Sequence, residues 1–154
     1  MSKTIDMIDH RILNALQADS TLSVEALSEK VHLSRNACWR RVKALEEAGI
    51  IKGRVTLVDA EAVGCGLSVF IFIKTAAHDP QWLAAFRETV MLLPQITGVY
   101  RTSGDLDYVL RARVGDVKAY DRLYQRLIEK VPIADVSASF VMEEIKETTA
   151  VPLG

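Results

Sequence analysis

The spacing of apolar residues changes near residue 50, and that change constrains the fold more than any single motif. In the front of the chain, Ile5, Ile8, Ile12 and Leu16 recur at intervals of three and four, with Leu13 beside them, as on one helix face. Asp6 is placed to cap that helix, with Asp9 three residues on. A second helix follows Ser23 and buries Val24, Leu27 and Val31. His32 and Leu33 make a brief turn. Ser34 then caps a third helix with Cys38, Val42 and Leu45 inward, and Gly49 ends it in a left-handed conformation. Three short helices with a tight turn between the last two predict a helix-turn-helix.

Behind residue 50 the pattern mixes two periods. Ile51 to Val58 reads as extended, Gly64 and Gly66 flank Cys65, and Leu67 to Lys74 reads as a strand. Trp82, Leu83, Phe86, Val90 and Leu93 mark a helix stopped by Pro94. Ile96–Ser103 and Asp107–Val114 form a strand pair joined across Gly104, Asp105 and Leu106. Val117, Tyr120, Tyr124, Leu127 and Val131 mark another helix, and a last strand runs from Val136 to Lys146. This β-α-β-β-α-β order is the ferredoxin-like unit. The expected class is therefore α+β: a helix-turn-helix, winged-helix-like domain over residues 1–50, an extended linker over 51–64, and a ferredoxin-like domain over 65–154.

A ferredoxin-like unit covers one face of its sheet with helices. The first strand, however, is apolar on both faces: Leu67, Val69, Ile71 and Ile73 on one, Phe70 and Phe72 on the other. An open face with two phenylalanines is a sizeable adhesive patch. It is expected to pack on a second subunit; coverage by the N-terminal domain or a loop is the alternative.

Composition narrows the function classes. Apolar residues make up 49% of the 154-residue chain, ample for a packed core. The front end resembles no signal peptide, and the longest apolar run, Val69–Ile73, is far too short to span a bilayer. Two cysteines in unrelated contexts, Cys38 and Cys65, suggest a reducing cytoplasm rather than a disulfide framework. Three scattered histidines give no metal-ligand spacing, and no cofactor motif is present.

Charge is distributed with more meaning than its total of −1. Ser34 to Lys43 holds four cations (Arg35, Arg40, Arg41 and Lys43) and no acid. A local basic helix in a slightly acidic chain suggests a surface meant for phosphate.

Several segments resemble the Lrp/AsnC (feast/famine) family of bacterial and archaeal regulators. They are Ile5–Leu13, Leu33-Ser34, Arg41–Glu46 with Gly49-Ile50-Ile51, Gly104-Asp105-Leu106-Asp107-Tyr108, and Met142–Lys146. They cover nearly the whole chain in the family's order. The resemblance implies an N-terminal DNA-binding domain and a C-terminal domain that dimerises, assembles further, to octamers, and senses amino acids. Two positions depart from the family pattern. His32 stands where Gly is usual, at a turn that needs a positive φ, which His tolerates better than most residues. Arg35 stands where Pro often follows the capping serine, and a cation there opposes the helix dipole unless it meets a phosphate.

In a helix-turn-helix the second helix lies in the major groove of double-stranded DNA. With Cys38, Val42 and Leu45 inward, Arg35, Asn36, Trp39, Arg40 and Lys43 fall on or near the outer face, beside the capping Ser34. Asn pairs bidentately with adenine and Arg with guanine. Trp39 either packs on a sugar or thymine methyl or leans onto the first helix. Arg41 lies next to the core face, where an ion pair with Asp9 or a nearby acid is favoured. Lys52 and Arg54 extend the basic surface towards the phosphate backbone.

The second candidate site is the Gly104–Asp107 loop. Asp105 or Asp107 suits an amino acid's ammonium, while N–H groups near Gly104 and hydroxyls of Thr102, Ser137 or Ser139 suit its carboxylate. A plain hairpin turn is the competing reading, and the resemblance adds that an effector sits near this loop, between dimers. An enzyme is disfavoured, since no nucleophile motif or phosphate-binding glycine loop is present. An architectural DNA-binding protein without a small-molecule effector shares the basic helix and the open sheet face, and stays as the alternative.

Overall fold

The computed structural model describes residues 4–75 and 79–153. Two compact units divide the chain: Met1–Thr56 with Lys146–Gly154, and Leu57–Ile145.

The first unit holds α1 (Met7–Ala18), α2 (Val24–Lys30) and α3 (Arg35–Glu47). All three helices start at a residue whose side chain accepts an N–H from the first turn. Asp6 accepts from Asp9, Ser23 from Ala26 and Ser34 from Ala37. Such caps satisfy amides that no helix can satisfy internally. Asp6 and Asp9 form the full reciprocal capping box. The α2–α3 turn runs through His32 at φ 55°, a left-handed conformation, as the sequence requires there. Gly49 at φ 69° ends α3, with its N–H on the Glu46 carbonyl and that of Ile50 on the Leu45 carbonyl. Ile12, Leu13, Ala15, Leu27, Val31, Cys38, Val42 and Leu45 form the core. Ile5 is not on the buried face: it precedes the cap and is exposed. Ile51 to Val58 reads as extended in sequence, yet it forms no strand pairing with the described residues.

The C-terminal segment completes this unit. The Gln17 side-chain amide donates to the Val151 carbonyl at 3.1 Å, and its oxygen accepts the Val151 N–H at 2.6 Å. Leu153 packs against the same core. The sequence-derived boundaries put residues 65–154 in one domain; the structure groups Lys146–Gly154 with the first unit.

The second unit holds β1 (Leu67–Thr75), α4 (Pro80–Met91), β2 (Ile96–Arg101), β3 (Tyr108–Val114), α5 (Val117–Lys130) and β4 (Ile133–Phe140). The sheet order is β2-β3-β1-β4 with antiparallel neighbours, the ferredoxin-like arrangement. Asp79 and Asp116 cap the two helices. Their inward residues Trp82, Phe86, Val90, Leu123 and Leu127 bury Val69, Ile71, Ile73, Leu110 and Ala112 of one sheet face. Phe86 stacks on Trp82 at 5.0 Å and tilts against Tyr108 at 4.8 Å.

The other face carries ladders set by the strand register. Tyr100, Val109, Phe72 and Ser137 form one cross-strand row, and Gly98, Arg111, Phe70 and Ser139 another. Phe70 is 37% exposed. The last strand differs from its expected Val136–Lys146 span. It starts at Ile133 and ends at Phe140, because its pairing with β1 begins at Thr75 opposite Ile133 and ends at Val69 opposite Phe140. Met142 and Ile145 beyond it are exposed. Val117, expected to mark the inner face of α5, is also exposed.

Candidate functional site

The capping and the core together decide what α3 shows to solvent. Cys38, Val42 and Leu45 are buried, which leaves Ser34, Arg35, Asn36, Trp39, Arg40 and Lys43 exposed on the rest of the helix. At 100° per residue, Arg40 points roughly 170° away from the buried stripe, with Asn36 close behind. The side chains of Arg35, Asn36 and Arg40 make no hydrogen bond or ion pair with the described residues. Trp39 is 52% exposed and does not lie in the core. The Lys43 ammonium stands 5.6 Å from its ring centroid, a cation–π distance. Burial pushes the Cys38 thiol pKa up, as for a core residue and not a reactive one.

Arg41 is absorbed by the fold. Its Nη1 donates to Asp6 Oδ2 at 2.8 Å and to Asp9 Oδ1 at 2.9 Å. Both Asp9 and a nearby acid, Asp6, thus pair with it, as the sequence favours. The Asp9 N–H, and after it the Arg41 guanidinium, hold the Asp6 carboxyl below its ordinary pKa, and the two acids raise that of Arg41. Beyond the helix, Lys52 is exposed, whereas Arg54 reaches back to Glu46 Oε1 at 2.8 Å. That exposed pair is weak and leaves Arg54 available to a stronger anion. Sequence reasoning missed Glu46, since an eight-residue separation across the helix exit is not a helical pairing interval.

The loop between β2 and β3 is more closed. Gly104 takes φ 123°, a conformation that side chains rarely adopt. The Thr102 hydroxyl donates to the Leu106 carbonyl at 2.6 Å, and the Thr102 N–H to the Asp107 carbonyl at 2.9 Å. Asp107 Oδ2 accepts the Thr75 N–H at 2.7 Å and the Asp107 N–H donates to the Ile73 carbonyl at 3.0 Å, which tie the loop to the end of β1. Thr75 was not singled out from sequence; only the register reveals it. Asp105 is exposed. Ser137 and Ser139 are exposed on the open face of β4, opposite Phe72 and Phe70. At about 3.4 Å per residue, Ser139, opposite Phe70, lies roughly 17 Å further along the sheet than Thr75 at the loop end of β1. Thus Thr102, Gly104 and Asp107 come together within one loop, while Ser139 stands apart from them in the single chain.

Among the described residues, no group of three or more His, Cys, Asp or Glu could hold a metal. No described helix is long and apolar enough to cross a membrane.

A capped helix-turn-helix with a cationic outer face, joined to a ferredoxin-like unit, defines a two-domain DNA-binding regulator. Residues 5–52 match the winged helix-turn-helix DNA-binding family model, and residues 68–151 that of the Lrp/AsnC ligand-binding domain. The chain is 46% identical over 153 residues to the glutamate uptake regulatory protein of Zymomonas mobilis, covering 99% of this chain and 93% of that protein. It is 45% identical over 150 residues to the DNA-binding transcriptional activator DecR of Escherichia coli K12, covering 97% and 99%. Among solved structures, an AsnC family regulator from Agrobacterium tumefaciens superposes with a TM-score of 0.92 at 48% identity, over 96% of both chains. A Neisseria meningitidis transcriptional regulator in complex with L-Met superposes with a TM-score of 0.92 at 34% identity, over 97% of both. The chain belongs to the Lrp/AsnC family of transcriptional regulators. It is a DNA-binding regulator and not an enzyme.

Proposed function

We propose that the chain reads double-stranded DNA with the outer face of α3 and answers to an amino acid or related small metabolite through its second unit. The observation that carries the reading is the face of Arg35, Asn36 and Arg40: exposed, fixed on a capped helix, and free of partners among the described residues. Arg40 and Asn36 contact base edges, Trp39 and Lys43 flank them, and Ser34, Arg35, Lys52 and Arg54 hold phosphates. Arg40→Ala and Asn36→Ala should relax base preference, while Lys52→Ala should weaken all duplexes alike and lower the salt slope by about one. A gel-shift series in which Arg40→Ala and Asn36→Ala keep the wild-type site preference would remove this face from the interface.

The effector is assigned to the Thr102–Asp107 loop, with Asp105 or Asp107 on the ammonium and the N–H groups near Gly104 on the carboxylate. The L-Met complex of the Neisseria relative supports an amino-acid ligand. Ser137 and Ser139 reach such a ligand from a neighbouring copy, if the site lies between dimers. The exposed Phe70, Tyr100, Met142 and Ile145 support self-association to dimers and then octamers. An effector held between copies acts only through a difference in affinity for two assemblies. Function in the cytoplasm follows from access to DNA. A thermal-shift panel of the twenty amino acids tests the sensing half. A ligand shift that survives Asp107→Ala, or no shift with any amino acid, favours a purely architectural DNA-binding role.

A further inference from the structure

We infer that Arg41 is a positioning residue for base recognition: bound to Asp6 and Asp9, it fixes the roll of α3 and so the aim of Arg40 and Asn36. The inference rests on the reading of α3 as the base-contacting helix.

The geometry is a linked set of polar bonds. Asp6 Oδ1 accepts the Asp9 N–H at 2.8 Å, and Asp9 Oδ2 accepts the Asp6 N–H at 3.4 Å. The remaining oxygens, Asp6 Oδ2 and Asp9 Oδ1, both accept from Arg41 Nη1. All four carboxylate oxygens are therefore engaged, and the guanidinium joins the cap of α1 to the middle of α3. Asp9 is 1% exposed, and a buried carboxylate demands a cationic partner. Arg41 keeps a third of its side chain exposed, so it is near enough to the surface to be mistaken for a phosphate contact.

The apolar contacts of Cys38, Val42 and Leu45 hold α3 in place but are not directional. Charge-assisted hydrogen bonds are. The roll of the helix matters at the scale of a base contact. A turn of about 20° displaces an atom 5–6 Å from the helix axis by roughly 2 Å. Hydrogen bonds to base edges survive only a few tenths of an ångström. A recognition helix held by apolar contacts alone would still bind phosphate but would read bases poorly.

The test exploits a difference in sign. Removing a carboxylate near a phosphate-binding face should raise affinity for every duplex if the acid acts only as a charge. If Asp6 acts by holding Arg41, its removal should instead lower affinity for the preferred site. The full chain and its Asp6→Asn, Arg41→Ala, Arg41→Lys and Arg40→Ala variants would be titrated, at a temperature where circular dichroism shows each folded. The probes are a duplex selected from a random library by the wild type and an unrelated duplex of equal length. We expect Asp6→Asn and Arg41→Ala each to lower the ratio of specific to non-specific affinity by about tenfold, with the salt slope unchanged, and Arg41→Lys to retain part of it. Two results would overturn the inference: a ratio unchanged in Asp6→Asn, or an Arg41→Ala loss that is equal on both duplexes with a salt slope lower by about one. Arg40→Ala separates the two levels. If it leaves the ratio intact, the reading of α3 fails; if it lowers the ratio while Asp6→Asn does not, only the positioning role fails.

Discussion

The outer face of α3 and the loop between β2 and β3 are both polar and solvent-facing, yet their side chains are spent differently. On α3, the side chains of Arg35, Asn36 and Arg40 bond to nothing among the described residues, because caps, core and the Arg41 pair already fix the helix. In the loop, Asp107 and Thr102 are engaged internally, on Thr75 and Leu106. In the proposed reading, the first region is organised for a ligand before the ligand arrives. In the same reading, the second must exchange its own hydrogen bonds, or draw groups from another copy, to hold one. A duplex offers phosphates and bases on a fixed lattice and rewards a rigid reader. A small effector that shifts an equilibrium needs a site with two states.

That contrast separates stability from recognition, and substitutions can break it. The largest effect is expected in the aromatic core of the second unit. Phe86→Ala removes a 1% exposed ring that touches Trp82 and Tyr108, and should cost about 3–5 kcal/mol in urea unfolding. Trp39→Ala, an aromatic of the reading face, should cost under about 0.5 kcal/mol. Comparable losses would mean that Trp39 belongs to the fold.

Next comes the pair of polar positions. Asp107→Ala should cost about 1–3 kcal/mol, because the Thr75 N–H loses a charged acceptor. Arg40→Ala should leave stability unchanged and remove about 1–3 kcal/mol of base discrimination. A stability loss with Arg40→Ala would show a hidden structural role. Smaller still is the C-terminal segment. Gln17→Ala should destabilise the helical unit by about 1 kcal/mol, through its two bonds to Val151. Amide exchange in α1 would report it, and α4 should not respond.

The last contrast is the acid response of Asp6. In the folded chain it titrates below its ordinary value of 3.8, so its contribution is complete above that value and lost as the pH falls through the lowered one. The melting temperature of the wild type should therefore fall more steeply below pH 3.8 than that of Asp6→Asn. Parallel curves would remove Asp6 from the acid response.

Much of this was legible in the chain. Local rules found the Asp6 and Ser34 caps, the positive φ at His32 and the Gly49 exit, since each depends on residues within one helical turn. The strand order followed from the element sequence, which admits few connections. What local rules missed was set by distant partners. The end of β4, at Phe140, depends on its distant partner Val69 in β1. The tail docks through Gln17, 134 residues away from Val151. Arg41 sat between core and surface by phase alone, and only the fold brings it to Asp6, 35 residues back. For the loop, composition could not distinguish a hairpin turn from a ligand cradle, because both use Gly and Asp.

The central claim is that the outer face of α3, and chiefly Arg40 with Asn36, selects the DNA sequence. The most direct measurement is selection of bound sites from a random duplex library by the wild type and by Arg40→Ala and Asn36→Ala, read by sequencing. The account predicts a defined wild-type site in which each variant loses preference at its own base pairs, guanine for Arg40 and adenine for Asn36, while the remaining positions persist. Recovery of the same site with undiminished preference by both variants would contradict it.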